Sequence, residues 1–418
     1  MAAAAVKPRY RTRLVKAGFV YALIVLVLGI AAGVRPNNLL VLVFGCLLGA
    51  IVVSGVVSGF MMMPISATRL APRRGRVGEP LLVRYEVSNR SRFLPAFDLR
   101  VREAPLPGAL GEVGSAWVMH AGPGDRVHAE AVLRPLRRGP VRLASLELST
   151  AFPFGLLRKI VRFTQPGEVL IHPEVRPLRA ELLSRVTAGG IGGNRLSSEA
   201  GGSDDFFGVR EYRPGDSIRR IAWKRLAGTG RLATIERSRS VPPRVRVLLD
   251  LRTPTASLRI GADEDGRTLE EAAIVLAASL VSLADRLGYE YALSVGGLEI
   301  PAIALRKGHF HREKILSLLA ALDLDAARGP GNGLAASDER ATVIVVHPDR
   351  ADTAVAPAES WHFTARQLES LVDRSAARAS DDANPRETRA EDAKSASPAP
   401  RGEAAREPRQ RSRRERLR

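Results

Sequence analysis

The sequence predicts two transmembrane helices, then an all-β sandwich domain, then an α/β domain. Three observations carry this reading. Two long uncharged apolar runs follow one another near the N-terminus. Short period-two strands, punctuated by Gly and Pro, come next. From residue 241 onward, unbroken apolar runs alternate with stretches of helical periodicity. A chain of 418 residues has room for two or three such domains, each with its own core.

Residues 1–16 are a basic N-terminus containing Lys7, Arg9, Arg11, Arg13 and Lys16. Residues 17–63 read as a helical hairpin. Ala17 to Val34 and Leu39 to Met63 carry no charge. At about 1.5 Å per residue they reach roughly 27 Å and roughly 37 Å, enough to cross a bilayer. Between them Arg35-Pro36-Asn37-Asn38 is too short to be a domain. Gly45, Gly49, Gly55 and Gly59, four apart in pairs, predict close helix approach along the second run. A cleavable signal peptide is the rival reading, and the second apolar run directly after the first argues against it. Basic residues precede the first run, and Arg69, Arg73, Arg74 and Arg76 follow the second, whereas the loop holds only Arg35. The positive-inside rule then places both termini in the cytoplasm of a cell whose membrane the chain crosses twice.

Residues 70–175 have period two: Val83, Tyr85 and Val87, then Phe97, Leu99 and Val101, then Val127, Ala129, Ala131 and Leu133. Turns such as Gly122-Pro123-Gly124-Asp125 separate them, as in a β-sandwich. Nothing in this domain has catalytic spacing, so it is expected to space or dock. Residues 241–374 form the α/β domain. Val245 to Asp250 and Ala341 to Val346 are buried-strand runs, Tyr291 to Val295 is a further strand, and Leu269 to Leu283 and Arg312 to Leu322 have helical spacing. Such alternation implies a parallel sheet covered on both faces, with ligands at the carboxyl ends of its strands, where Asp250 stands. Residues 375–418 nearly lack large apolar groups and are expected to be a disordered charged tail.

The formal charge is +19, from 63 Lys and Arg against 44 Asp and Glu. That favours anionic partners such as lipid headgroups, or marks an ordinary solvated surface rich in arginine. No aromatic residues interleave with basic ones as a stacking platform would, so specific nucleic-acid binding is not expected. Cys46 is the only cysteine, which excludes disulfides within the chain.

The connecting region, residues 176–240, carries the densest motif. Its first half holds Gly189-Gly190-Ile191-Gly192-Gly193 and Gly201-Gly202, without the Gly-x-x-x-x-Gly-Lys-Ser/Thr order of a phosphate-binding loop. Its second half supplies the candidate site: Gly208, Arg210, Glu211, Tyr212, Arg213, Pro214, Gly215, Asp216, Trp223, Lys224 and Arg231. Pro214-Gly215 suits the centre of a type II turn. Asp216 is expected to cap a helix from Ser217, with Ile218, Ile221 and Ala222 inward and Arg219, Arg220 and Lys224 outward. Arg210, Glu211 and Arg213 suit bidentate pairing. Two readings stay open: a charged clamp joining two domains, or a docking surface for a protein partner. Catalysis is the weakest reading, because no His, Cys or activated Ser lies in the run.

The stretch Phe207-Gly208-Val209-Arg210-Glu211-Tyr212-Arg213-Pro214-Gly215-Asp216, with Arg220-Ile221-Ala222-Trp223-Lys224 and Gly230-Arg231-Leu232, resembles the bacterial family named domain of unknown function fifty-eight. Pro153-Phe154-Gly155-Leu156, His172-Pro173 and the order of segments add to the likeness. The resemblance implies an α/β domain resembling a von Willebrand factor A domain and association with a MoxR-type AAA+ ATPase. That fold often holds Mg²⁺ at Asp-x-Ser-x-Ser; here the matching residues are Asp250-Leu251-Arg252-Thr253-Pro254. Only the acid is kept, so no metal or other cofactor is expected, and Asp250 and Arg252 could pair with each other instead. Asp263-Glu264-Asp265 lacks calcium-loop spacing. His309 and His311 would share one side of an extended segment without a third ligand, and the remaining histidines are scattered.

These readings converge on a membrane-anchored, non-enzymatic scaffold that docks protein partners. The alternative is a metal-dependent adhesion or cell-envelope-binding protein.

Overall fold

In the computed structural model, residues 9–35, 37–188, 206–237, 242–254, 257–258, 266–329, 341–352 and 360–376 are described. The glycine runs at 189–193 and 201–202, the acidic cluster 263–265 and the tail from 377 lie outside them. Met1–Val372 form one unit and Asp373–Arg418 a second.

The first strand comes from a segment expected only to be a basic terminus. β1 (Arg9–Leu14) pairs antiparallel with the sandwich, because Tyr10, Thr12 and Leu14 alternate with arginines at strand period. It leads into α1 (Lys16–Val34) and α2 (Asn38–Met62), both long and apolar enough to cross a membrane. Asn37 caps α2 by accepting the Leu39 amide at 2.9 Å. Close approach of the helices falls elsewhere than the sequence predicts. A Cβ at Gly45, Gly49 or Gly59 would meet nothing within 4 Å, whereas one at Gly29 on α1 would sit 2.8 Å from the Phe44 ring. The bulky side chain on α2 thus packs on the small residue of α1, and not the reverse.

The sandwich follows as β2 (Ile65–Leu70), β3 (Arg74–Arg76), β4 (Leu81–Asn89), β5 (Ala96–Glu103), β6 (Leu110–Gly114), β7 (Ala116–Ala121), β8 (Arg126–Pro135), β9 (Gly139–Thr150) and β10 (Leu157–His172). One sheet runs β1-β10-β9-β5-β7, with β3 also on β10; the other runs β2-β4-β8-β6. Val83, Tyr85, Val87, Leu99 and Val101 are all fully buried between the sheets, as the alternation predicts. Met61 and Met62, at the end of α2, enter the same core. The helix pair is therefore rooted in the sandwich.

That root has a testable contact. Gly18, in the first turn of α1, lies so close to the chain before β10 that a Cβ would fall 2.1 Å from the Leu156 carbonyl oxygen. Gly18→Ala is expected to cost about 1–3 kcal/mol, the range for overpacking against rigid backbone. Denaturation of the detergent-solubilised chain measures it; an unchanged midpoint would refute the packing of α1 on this corner.

Beyond α3 (Ala180–Ala188), β11 (Phe206–Glu211), α4 (Trp223–Thr229) and β12 (Ala233–Arg237) form a separate hairpin unit. The α/β region comprises β13 (Arg244–Asp250), α5 (Gly266–Arg286), β14 (Glu290–Gly296), β15 (Ile303–Arg306), α6 (His309–Ala321), β16 (Thr342–His347), β17 (Trp361–Thr364) and α7 (Leu368–Leu371). Its sheet order is β15-β14-β13-β16-β17, parallel except for β15. Every residue of β13 from Val245 to Asp250 is buried, so both faces of the sheet are covered. His309 and His311 open α6 and do not lie on an extended segment; His311 is buried, bonding to the Tyr291 carbonyl, while His309 is exposed.

The sandwich and the α/β region are joined by Arg138. Its guanidinium reaches the carbonyls of Leu319, Ala320 and Leu322 at 2.9–3.2 Å and the Glu271 carboxylate at 2.7 Å. It thereby satisfies the unpaired carbonyls at the end of α6 and complements the helix dipole. Arg74 to Glu313 and His172 to Ser317 add to this seam.

Candidate functional site

The dense motif folds as the β11–β12 hairpin with its connecting turns. Strand pairing sets Gly208 opposite Glu236, Val209 opposite Ile235, Arg210 opposite Thr234 and Glu211 opposite Ala233. The Tyr212 amide continues the ladder to the Leu232 carbonyl. Pro214-Gly215 does form the centre of a turn: the Asp216 amide donates to the Arg213 carbonyl at 3.0 Å, and Gly215 has φ +106°, open to glycine and costly for other residues.

Asp216 does not cap a helix. Its carboxylate turns back and accepts two bonds from the Arg210 guanidinium at 2.7 and 2.8 Å, one from the Arg213 amide at 2.9 Å and one from the Thr234 hydroxyl at 3.1 Å. These donors, Arg210 first, hold it down at about 2. With its oxygens so engaged, the next segment starts uncapped. Ile218–Arg220 makes one 3₁₀ turn, Ile221 is extended, and only then does α4 begin at Trp223. Ile221 and Ala222 are buried as expected, but Ile218 stands 69% exposed.

The Arg210–Asp216 pair fastens the hairpin to itself. Arg138 clamps the sandwich to the α/β region. Glu211, Arg213, Pro214, Arg219, Arg220, Lys224 and Arg231 are exposed, Tyr212 is half-buried, and the Trp223 ring is 57% exposed.

A second cluster lies at the carboxyl ends of the parallel strands, and sequence reasoning found only half of it. Arg252 does pair with Asp250, Nε to Oδ1 at 2.9 Å. The other carboxylate oxygen is 3.1 Å from His347 Nδ1, whose Nε2 lies 2.9 Å from His362 Nδ1; His362 Nε2 lies 2.9 Å from the Ser360 hydroxyl. The two imidazole planes are within 10° of parallel. Burial alone would raise the Asp250 pKa, but the bonds from His347 and Arg252 outweigh it and hold the acid at about 2. The carboxylate is therefore an acceptor, so His347 Nδ1 carries a proton. In the tautomers where each ring carries a single proton, direction propagates: His362 Nδ1 donates to His347, and Ser360 donates to His362. Burial and the neighbouring His347 push the His362 pKa down, which favours this neutral state.

Two of the histidines read as scattered, His347 and His362, thus form one hydrogen-bonded relay to Asp250. A cation at Asp250 would have to displace a guanidinium and an imidazole. Among the described residues, no three His, Cys, Asp or Glu side chains are grouped to hold a metal.

No curated protein matches the chain. Among solved structures, a CARDB domain from Pyrococcus furiosus is 11% identical, covering 26% of this chain and 94% of that one, with a TM-score of 0.18. Trypsin-activated alpha-2-macroglobulin from Escherichia coli is 16% identical over 38% of this chain and 9% of that one, with a TM-score of 0.20. Its native conformation gives 15%, 28%, 8% and 0.19. A family model described as "Protein of unknown function DUF58" matches residues 208–379, a span that begins inside the hairpin and takes in the strand-end relay. That stretch of the chain is a DUF58 domain.

Proposed function

We propose that this chain is a membrane-anchored, non-enzymatic scaffold that docks a protein partner through the 206–237 hairpin. One observation carries the reading: Arg210 and Asp216 are engaged in holding the turn, and the remaining motif side chains are left for something else. Ile218 and Trp223 stand exposed among Arg213, Arg219, Arg220, Lys224 and Arg231. An exposed aromatic and aliphatic pair within a basic rim suits a partner with an apolar pocket and an acidic border. The family resemblance makes a MoxR-type AAA+ ATPase the first candidate. Two apolar helices rooted in the sandwich supply the anchor, and the basic residues at their ends favour a cytoplasmic position for the soluble regions. The parallel sheet with Asp250 at the end of its central strand supports a von Willebrand factor A-like reading of the α/β region. The metal-dependent adhesion alternative is opposed by Arg252 and His347, which hold both Asp250 oxygens.

The test is binding of the purified full chain to a MoxR-type ATPase from the same cell. Trp223→Ala is expected to weaken it about 30-fold, the scale of an aromatic hot spot. Arg213→Ala, at the rim, should weaken it far less. No binding by the wild type, or equal binding by Trp223→Ala, would refute the docking surface.

A further inference from the structure

Sheet register places an unusual number of like charges on one outer face of the sandwich. Arg9 is directly opposite Arg162, and Arg13 directly opposite Arg158, across β1 and β10. The same face continues through Ser149 to Arg100 and through Glu147 to Arg102. Like charges directly opposite one another destabilise a sheet. The acids present do not offset this: Glu147 is shared between Arg102 and Arg162, and Asp98 meets Arg100 at 3.5 Å. Among the described residues, Arg9, Arg11, Arg13, Lys16 and Arg158 have no acidic partner.

These groups line a cleft of about 400 Å³, which includes Arg13, Lys16, Arg100, Arg102, Arg158 and Ser149 together with one acid, Glu112. An adjoining cleft of about 250 Å³ holds Arg9, Arg11 and Arg162. The larger cleft sits where α1 begins, since Leu14, Val15 and Lys16 form part of its wall. The start of α1 has no side-chain cap and no acid in its first turn, so its free amides add to the positive field.

We propose that this cleft binds the phosphodiester headgroup of an anionic phospholipid at the membrane surface. Arginines in cross-strand pairs suit bidentate contact with phosphate oxygens, and the Ser149 hydroxyl offers a neutral donor between them. A bound phosphate would remove the repulsion between Arg13 and Arg158. The position at the first turn of α1 favours a lipid over a soluble anion, because a headgroup there keeps its acyl chains beside the helix. The inference rests on the reading of α1 and α2 as a membrane anchor.

The full chain would be placed in phosphatidylcholine nanodiscs with and without phosphatidylglycerol, and thermal unfolding and retained lipid measured. Phosphatidylglycerol is expected to raise the melting temperature and to be retained selectively. Arg158→Gln should have opposite effects in the two lipids. In phosphatidylcholine it relieves repulsion and raises the melting temperature. With phosphatidylglycerol it weakens the response, by about fivefold in affinity for each arginine removed. Arg13→Gln, on the exposed edge strand, gives the same pattern if Arg158→Gln folds poorly. An equal response in both variants and the wild type would overturn the site. Equal stabilisation by inorganic phosphate in phosphatidylcholine discs would overturn the lipid as its ligand. Failure to enter the discs at all would instead refute the anchor, and this inference with it.

Discussion

Glu103→Ala is expected to destabilise the protein by about 3–5 kcal/mol, the usual cost of stranding one member of a buried ion pair. Arg69 and Glu103 are almost fully inaccessible, at 3% and 1% side-chain exposure, and meet through two bonds of 2.8 and 2.9 Å. The Tyr85 hydroxyl donates to the same carboxylate at 2.8 Å, and Arg69 also reaches the Leu143 carbonyl at 3.3 Å. Arg69 and Tyr85 stand on one sheet, Glu103 and Leu143 on the other, so the cluster bonds the two sheets through the core. Burial, with the charge of Glu103 adding to it, pushes the Tyr85 pKa far up, and the phenol stays a donor. Removing Glu103 would leave a guanidinium and a hydroxyl without their acceptor in a space too dry to hydrate them. Replacing the whole cluster, as Arg69→Met, Tyr85→Phe and Glu103→Leu together, is expected to recover most of the loss, since apolar groups leave no charge unpaired. Denaturant unfolding in detergent measures both. A loss under about 1 kcal/mol for Glu103→Ala would mean that the core relaxes around the charge, contrary to its burial.

Much of the architecture was legible because burial writes periodicity into the chain. The alternation at Val83, Tyr85 and Val87 and the unbroken run before Asp250 became strands of the expected kinds. The type II turn at Pro214-Gly215 was legible because few residues tolerate its backbone angles. Pairing partners were not. Arg210 and Asp216 lie six apart, and only the hairpin bends one onto the other. The helix glycines misled because spacing reveals a groove but not which helix fills it. The relay was missed for a different reason, although a signal existed. His347 ends a buried run just as Asp250 ends its own, and β13 pairs in parallel with β16 so that Leu249 faces Val346. Residues at equivalent strand ends of neighbouring parallel strands become neighbours. Applied to the sequence, that rule brings His347 to Asp250. His362, on a short edge strand, carries no such mark.

Asp250→Asn is expected to cost about 3 kcal/mol near neutral pH and to change the shape of the pH–stability curve. The wild-type carboxylate accepts from Arg252 chiefly on Oδ1, at 2.9 Å with a longer bond of 3.4 Å to Oδ2, and from His347 on Oδ2. An asparagine keeps one acceptor and turns the other into a donor facing a donor, so either Arg252 or His347 loses its bond. The signs follow from the direction of each shift. Asp250 titrates at about 2 in the folded chain against an ordinary 3.8. Its contribution is complete above 3.8 and is lost as pH falls through 2; Asp250→Asn abolishes that step. His362 is shifted below its ordinary 6.5, so the folded state resists protonation. Its contribution is complete above pH 6.5 and declines as pH falls below that value, because the unfolded chain takes up the proton first. His172, shifted in the same direction by burial, adds a loss over the same range. The discriminating comparison is therefore wild type against His362→Gln, which should lose part of the decline below pH 6.5 and keep the part due to His172. Denaturation midpoints followed from pH 8 down to pH 3 give all three curves. If His362→Gln declines as steeply as the wild type, the relay does not couple protonation to folding, and His347 and His362 are merely adjacent.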